Sequence, residues 1–164
     1  MRPKPEFFSI LRILANHQVD HIIVGGVAIL LSGAPYTTFD LDVVHSTSPD
    51  NVDRLLPALW ELDAYYRIQP ELRLRPDVSH LTSPGHQLLM TKFGPLDLLG
   101  QIGNGRSYTT LLPHSPPMQL SGGVSVRVLD IETQIADKEE VGRDKDEAGL
   151  RLLRHVLEET RKKR

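Results

Sequence analysis

Three aspartates occupy positions in apolar segments where core residues are expected. Asp40 and Asp42 alternate with apolar residues in a predicted strand, so their carboxylates project from one face, about 7 Å apart along the backbone. Asp97 lies between Leu96 and Leu98 in a second predicted strand. If the strands are neighbours, three carboxylates converge, and because they repel one another, divalent cations such as Mg²⁺ or Mn²⁺ would stabilise them. Such clusters serve phosphoryl and nucleotidyl transfer, although alternating acids also occur on the solvated face of an edge strand.

A glycine pair follows the first predicted strand. Gly25 and Gly26 come after the apolar run His21–Val24 and before the helix-compatible residues 27–32. Backbone N–H groups at such a turn can receive phosphate oxygens, and glycine leaves the approach open, so a triphosphate would fit. A tight strand-to-helix turn without any ligand is the alternative explanation.

The elements that must position these residues follow from hydrophobic periodicity and turn signals. Together they predict an α/β (α+β) fold: a mixed sheet flanked by helices, with a helical C-terminal end. We expect one domain over residues 1–164, with a core at about 20–130 and C-terminal helices at about 131–164. Residues 65–84, rich in proline and arginine, support no assignment. The expected helices cover residues 5–17, 27–32, 50–63, 131–141 and 144–164; the expected extended segments are 21–24, 39–44, 87–92, 96–99, 113–120 and 124–129, with a loop at 100–105.

Composition narrows the class of protein. The 164 residues are 40% hydrophobic and 24% charged with a net charge of −2, which excludes a disordered chain and a histone-like nucleic-acid coat. The chain has no cysteine, which excludes disulfides, thiolate metal sites and a cysteine nucleophile and is expected of a reducing cytosol. The longest apolar run, residues 22–31, is too short to span a bilayer, and no export signal is visible. We therefore expect a cytoplasmic protein without a membrane segment.

The combination of these motifs resembles the DNA polymerase β-like nucleotidyltransferase superfamily. That superfamily has an apolar residue before Gly-Gly or Gly-Ser, then Asp-apolar-Asp, then a third acid on a later strand. Here the sequence is Val24-Gly25-Gly26, thirteen intervening residues, Asp40-Leu41-Asp42-Val43, and later Leu96-Asp97-Leu98. The resemblance implies the fold of that superfamily over about residues 20–155.

More narrowly, the chain resembles small prokaryotic nucleotidyltransferases related to abortive-infection toxins and minimal nucleotidyltransferases. Their pattern of glycine, two residues, arginine, one residue, threonine, one residue and Asp-apolar-Asp is matched by Gly33, Thr38 and Asp40. Tyr36 stands where arginine is usual. The C-terminal part of the sequence also resembles these proteins, which often end with a lysine-bearing helix followed by an Arg-x-Lys-Asp motif.

The resemblance implies a role for each site residue. Asp40 and Asp42 would hold the metal ions, and Asp97 would complete the metal site and help to deprotonate the acceptor hydroxyl. The nucleotide would be bound by Gly25, Gly26, Thr38, Lys138 and Lys145. The two lysines would neutralise phosphate charge, although each also fits a solvated helix position.

The implied function is Mg²⁺-dependent transfer of a nucleoside monophosphate from a nucleoside triphosphate such as ATP to a hydroxyl. The acceptor stays open between tRNA or another RNA, a protein and a small molecule, and a homodimer or an antitoxin is an expected partner. A role in a toxin–antitoxin pair or in phage defence accompanies this resemblance. Because Tyr36 replaces the usual arginine, a non-catalytic scaffold that binds nucleotide or a partner protein is the alternative.

Overall fold

A computed structural model describes residues 5–142 and 147–163, so the predicted site residue Lys145 lies outside the described residues. The expected mixed α/β architecture with a helical C-terminal end is confirmed. The helices are α1 (Phe7–Asn16), α2 (Gly25–Leu31), α3 (Pro49–Glu61), α4 (Val78–Leu81), α5 (Tyr108–Leu111), α6 (Ile131–Val141) and α7 (Glu147–Lys162). The strands are β1 (His21–Val24), β2 (Leu41–His45), β3 (Tyr65–Tyr66), β4 (His86–Thr91), β5 (Gly94–Leu99), β6 (Gln101–Ile102), β7 (Arg106–Ser107), β8 (Pro117–Gln119) and β9 (Ser125–Arg127).

The main sheet has five strands in the order β1-β2-β5-β4-β3. Strands β2 and β5 are parallel, and the other neighbouring pairs are antiparallel. The extended segments expected at 87–92 and 96–99 form the antiparallel hairpin of β4 and β5, and β5 lies directly beside β2. The two smaller sheets pair β6 with β7 and β8 with β9.

One face of the main sheet carries the larger hydrophobic core. Val43 and Leu98 on this face pack with Leu14 of α1 and Leu55 of α3. The apolar periodicity of α1 and α3 predicts this packing, and Ser48 caps α3 by accepting a hydrogen bond of 3.3 Å from Asn51 N.

The opposite face holds a smaller apolar cluster that includes Val24, Val44 and Leu99. Successive side chains along a strand point to opposite faces, so Asp42 and Asp97 project on this second face. The acids therefore lie where the sheet is not sealed by α1 and α3.

The C-terminal helix closes on α2. Leu153 of α7 is buried with Ile29 of α2, and Tyr36 packs against the same cluster. A Cβ at Gly149 would lie 3.0 Å from Ile29 Cδ1, so the glycine allows the two helices to approach. No helix among the described residues is long and apolar enough to cross a membrane.

Several segments differ from the sequence predictions. The segment expected to be extended at 113–120 begins with a 3-10 turn at Leu112–His114 and forms a strand only at Pro117–Gln119, and the short helix α5 before it was not predicted. Residues 65–84 contain β3, a 3-10 turn at Pro70–Leu72 and α4, and the turn is flanked by Gln69 and Arg73 with φ of 57° and 49°. Such backbone angles are set by surrounding contacts, which local sequence patterns do not report. The predicted loop at 100–105 contains β6 and the turn of a short hairpin with β7.

Candidate active site

Asp42 and Asp97 are directly opposite each other on the parallel strands β2 and β5. Neighbouring strands lie about 4.8 Å apart, so two carboxylates on the same face must be close. Asp40 precedes Asp42 by two residues, and its charge acts on Asp42 as well. The structure thus places Asp42 and Asp97 together on one face of the sheet, whereas Asp40, expected within the predicted strand 39–44, lies directly before β2 and acts on Asp42 through its charge.

Asp42 is in an unfavourable electrostatic environment. Burial raises its pKa to about 8, and the charge and hydrogen bond of Asp97 and the charge of Asp40 act in the same direction, whereas Arg67 opposes them. The buried Asp42 Oδ1 receives no hydrogen bond from any described residue. Burying a carboxylate oxygen without a hydrogen-bond donor destabilises the folded protein. A proton or a bound cation at this atom would remove that penalty.

The glycine pair directly follows β1 and forms the first two residues of α2, where the sequence predicts a turn before a helix that starts at residue 27. Gly25 has a φ of +67°, and a Cβ there would collide with the carboxylate of Asp42. A Cβ at Gly26 would lie 2.6 Å from Thr38 Oγ1. Close packing of this backbone against the acid and the threonine therefore requires glycine at both positions.

Two further predicted nucleotide residues are placed beside this turn. Thr38 donates its hydroxyl to the carbonyl of Asp40 over 3.2 Å, which ties the segment before β2 to the glycine turn. Lys138 of α6 lines an open cleft of about 210 Å³ together with Gly25 and Asp42. Phosphate binding by these residues stays a prediction.

Arg67 is a site residue that the sequence reasoning missed. Its Nη1 donates 2.5 Å to Asp97 Oδ1 and 3.0 Å to the carbonyl of Leu89. Burial lowers the pKa of Arg67, but the hydrogen bond and charge of Asp97 and the charges of Asp40 and Asp42 together outweigh burial and raise it. The only available signal was an arginine after two tyrosines in a segment without periodicity, and its position depends on β3 pairing with β4.

Tyr36, by contrast, is a structural residue. It packs with Ile29, Ala34 and Leu153 in the cluster between α2 and α7. The position where the resembling proteins have arginine is therefore part of a hydrophobic cluster in this chain. A cation is supplied to the acids by Arg67 instead, which lies between Asp42 and Asp97 in the sequence.

The residues fit a hard divalent cation. Carboxylate oxygens are the ligands that Mg²⁺ prefers, and Asp42 Oδ1 is a buried oxygen that lacks a donor. Within residues 5–142 and 147–163, no three acidic or histidine side chains already form a metal cage. Arg67 donates a hydrogen bond to Asp97 Oδ1.

A second and larger cavity lies beside Asp40. It has a volume of about 570 Å³, and Asp40 and Arg67 both line it. The cleft described above is lined by Asp42 instead. Asp40 and Asp42 therefore line different cavities.

Comparisons with known proteins identify the fold. No protein-family model matches the chain, and no curated protein matches it in sequence. Lincomycin-bound LnuA, a lincosamide antibiotic adenylyltransferase, has a TM-score of 0.64 at 13% identity, with 92% of this chain and 95% of that chain covered. ANT(2'')-Ia in complex with adenylyl-2''-tobramycin has a TM-score of 0.60 at 17% identity, with 92% and 87% covered. A candidate nucleotidyltransferase from Thermotoga maritima has a TM-score of 0.58 at 15% identity, with 88% of both chains covered.

Proposed function

Given its nucleotidyltransferase fold, we propose that this protein transfers a nucleoside monophosphate from a nucleoside triphosphate to a hydroxyl group of an acceptor. The acceptor oxygen forms a bond to the α-phosphorus, the bond from that phosphorus to the bridging oxygen breaks, and pyrophosphate leaves. The hydroxyl proton passes to Asp97. The observation that carries the proposal is the buried, unpartnered Oδ1 of Asp42 opposite Asp97 on neighbouring strands.

Each proposed role follows from position. Asp40 and Asp42, with Asp97, would hold Mg²⁺ or Mn²⁺, which supplies charge stabilisation to the phosphates when bound. Gly25 and Gly26 leave the backbone open beside Asp42 for the triphosphate. Thr38 holds the segment that carries Asp40 in place. The positive charge of Lys138, in the same cleft, suits the leaving phosphates. Lys145, outside the described residues, keeps the same role as a prediction from the sequence alone.

ATP is the donor that the comparisons favour, and a small molecule is the favoured acceptor. LnuA is an adenylyltransferase bound to lincomycin, and ANT(2'')-Ia is bound to an adenylylated aminoglycoside. Four other expectations stay predictions: a tRNA or protein acceptor, a homodimer or antitoxin partner, a role in phage defence, and a cytoplasmic location.

The alternative is a scaffold that binds nucleotide or a partner protein without turnover. The ion pair of Arg67 with Asp97 favours it, because this cation already compensates one of the acids. The unpartnered Asp42 Oδ1 argues against it, since a pure scaffold gains nothing from an unsatisfied buried carboxylate.

Two measurements decide between these functions. Thermal melting is done with Mg²⁺ and ATP, each alone and together, and we expect the pair to stabilise more than the sum of the separate effects. Transfer of label from α-labelled ATP to candidate acceptors is then measured for wild type, Asp42→Asn and the control Asp53→Asn, an exposed acid of α3.

We expect Asp42→Asn to lower transfer by about 100-fold or more and Asp53→Asn to leave it unchanged. Transfer that survives in the double variant Asp40→Asn with Asp42→Asn would refute the assignment of the reaction to these acids. Coupled Mg²⁺ and ATP stabilisation without transfer to any acceptor would favour the scaffold.

A further inference from the structure

We propose that the larger cavity, beside Asp40 and Arg67, is the acceptor subsite, and that it takes a small uncharged compound with a hydroxyl group and a flat apolar ring. This inference rests on the proposed function and deepens it, because it names the class of acceptor. It is carried by the position, the walls and the charge of the cavity.

The cavity lies next to the proposed catalytic acids, where a second substrate would have to bind. Asp40 lines it, and so does Arg67, whose guanidinium is paired with Asp97, the residue proposed to take the hydroxyl proton. The separate cleft is lined by Gly25 and Asp42, the residues proposed to bind the triphosphate and the metal. Because Asp40 lines one cavity and Asp42 the other, an acceptor in the larger cavity would lie next to the acids that hold the donor, as transfer between two bound substrates requires.

The walls of the cavity are largely apolar. Phe39, directly before Asp40, is 51% exposed, and Phe93 and Met90 of the β4–β5 hairpin line the cavity with Pro5 and Pro95. An exposed phenylalanine next to a predicted catalytic acid gains from covering by a ligand ring. The volume of about 570 Å³ is that of a small-molecule site.

The charges that face the cavity balance one another. Two acids, Glu6 and Asp40, and two cations, Arg67 and Lys92, are among its lining residues. A polycationic aminoglycoside would need an excess of acids, and a nucleic-acid backbone would need an excess of cations. An uncharged acceptor suits this balance better than either.

Binding of a defined probe tests the proposal without any turnover. The probe is phenyl β-D-glucopyranoside, which has hydroxyl groups and a flat apolar ring but no charge. Methyl β-D-glucopyranoside has the hydroxyl groups without the ring, and tobramycin is the polycation. Dissociation constants are measured by calorimetry or NMR titration in the presence of Mg²⁺ and a non-hydrolysable ATP analogue.

We expect the phenyl glucoside to bind more tightly than the other two compounds. Phe39→Ala should weaken its binding by about 10-fold, the loss of one ring contact. Trp60→Ala is the matched control: Trp60 is also an exposed aromatic residue, at 67%, but it stacks on Arg75 and does not line the cavity. Because both aromatic side chains are exposed, both variants should fold, and their melting curves verify this.

Three results would overturn the proposal: no binding of the phenyl glucoside, tighter binding of tobramycin, or equal binding by wild type and Phe39→Ala. If Mg²⁺ and ATP still stabilise the protein cooperatively in those cases, the proposed function survives and only the acceptor class is wrong. If that cooperative stabilisation is absent, the proposed function itself fails. The two failures are therefore distinguishable.

Discussion

Asp42 occupies an electrostatically unfavourable position in the fold. Its carboxyl is buried opposite Asp97, and its pKa is raised from 3.8 to about 8. A raised pKa in the folded state means that the folded protein binds a proton that the unfolded chain releases. Without metal, the contribution of Asp42 to stability is therefore present below about pH 4 and is lost as the pH rises toward 8.

This sign predicts how Asp42→Asn behaves. In metal-free buffer the variant should lose the decline in stability between about pH 5 and pH 8, and it should melt at a higher temperature than wild type at about pH 8. Saturating Mg²⁺ should reduce the same decline in wild type, because the cation favours the ionised form. Melting curves across this pH range check both statements, and an unchanged slope in Asp42→Asn would contradict them.

Arg67 is the second residue with a measurable electrostatic role. Its pair with Asp97 has side chains that are only 26% and 12% exposed, so Arg67→Met leaves a largely buried carboxylate without its cation. We expect the metal-free variant to lose about 1–3 kcal/mol of unfolding free energy and Mg²⁺ to stabilise it more than wild type, since the ion replaces the missing charge. Denaturant unfolding with and without Mg²⁺ measures both effects.

Arg54→Met is the control for this variant. Arg54 pairs with Asp20 at 36% and 53% side-chain exposure, where ion pairs contribute about 1 kcal/mol or less. Its variant should respond to Mg²⁺ as wild type does. If Mg²⁺ raises the unfolding free energy of Arg54→Met and Arg67→Met equally, Arg67 is not part of the metal site.

At the scale of elements, the turn from β1 to α2 is coupled to β2. The backbone at Gly25 has a positive φ and lies so close to Asp42 that no Cβ fits. The position of the carboxylate therefore depends on the absence of a side chain on a neighbouring element.

A pair of alanine substitutions separates backbone strain from this contact. Gly123 has a φ of +78° with nothing within 4 Å of a Cβ, so Gly123→Ala should cost only the strain of the left-handed backbone, about 1 kcal/mol. Gly25→Ala has a φ of +67° and adds the collision with Asp42. We expect Gly25→Ala to unfold at lower denaturant than Gly123→Ala and to lose the stabilisation by Mg²⁺ and ATP, which Gly123→Ala keeps.

At the scale of the whole molecule, burial on both faces of the sheet encloses two histidines. His21 and His45 are opposite each other on β1 and β2, and both side chains are buried. His21 donates from Nδ1 to the carbonyl of Val19 and His45 donates from Nε2 to the carbonyl of Leu81, and within the described part of the chain the second ring nitrogen of each has no partner. Burial lowers the pKa of both.

A lowered histidine pKa predicts loss of stability in acid. The unfolded chain binds protons below about pH 6.5 that the buried neutral rings do not, so stability should fall by up to about 1.4 kcal/mol per pH unit for each histidine. The test compares wild type, His21→Gln with His45→Gln, and the exposed control His155→Gln, all with Asp42→Asn to remove the opposite trend. The double variant should show the shallower slope, and an identical slope in all three would contradict the prediction.

Much of the fold and part of the site follow from local sequence. Alternation of Asp42 with apolar residues decides the face of β2 on which it lies, because side chains along a strand alternate. The turn at Gly25 and the cap at Ser48 are also local, since each depends on a few consecutive residues. Helices α1, α3 and α6 and the β4–β5 hairpin agree with the sequence predictions for the same reason.

Contacts between distant segments were decided only by the tertiary structure. The pairing of Asp42 with Asp97 requires β5 to lie beside β2, and the pairing of Arg67 with Asp97 requires β3 to join β4 at the edge of the sheet. Tyr36 is a core residue only because α7 covers it. Such contacts depend on which helices and strands pack their apolar faces together. Those partners are distant in the sequence, so the spacing of neighbouring residues does not predict them. The sequence by itself therefore determined which acids are available, and the packing of the sheet decided which residues surround them.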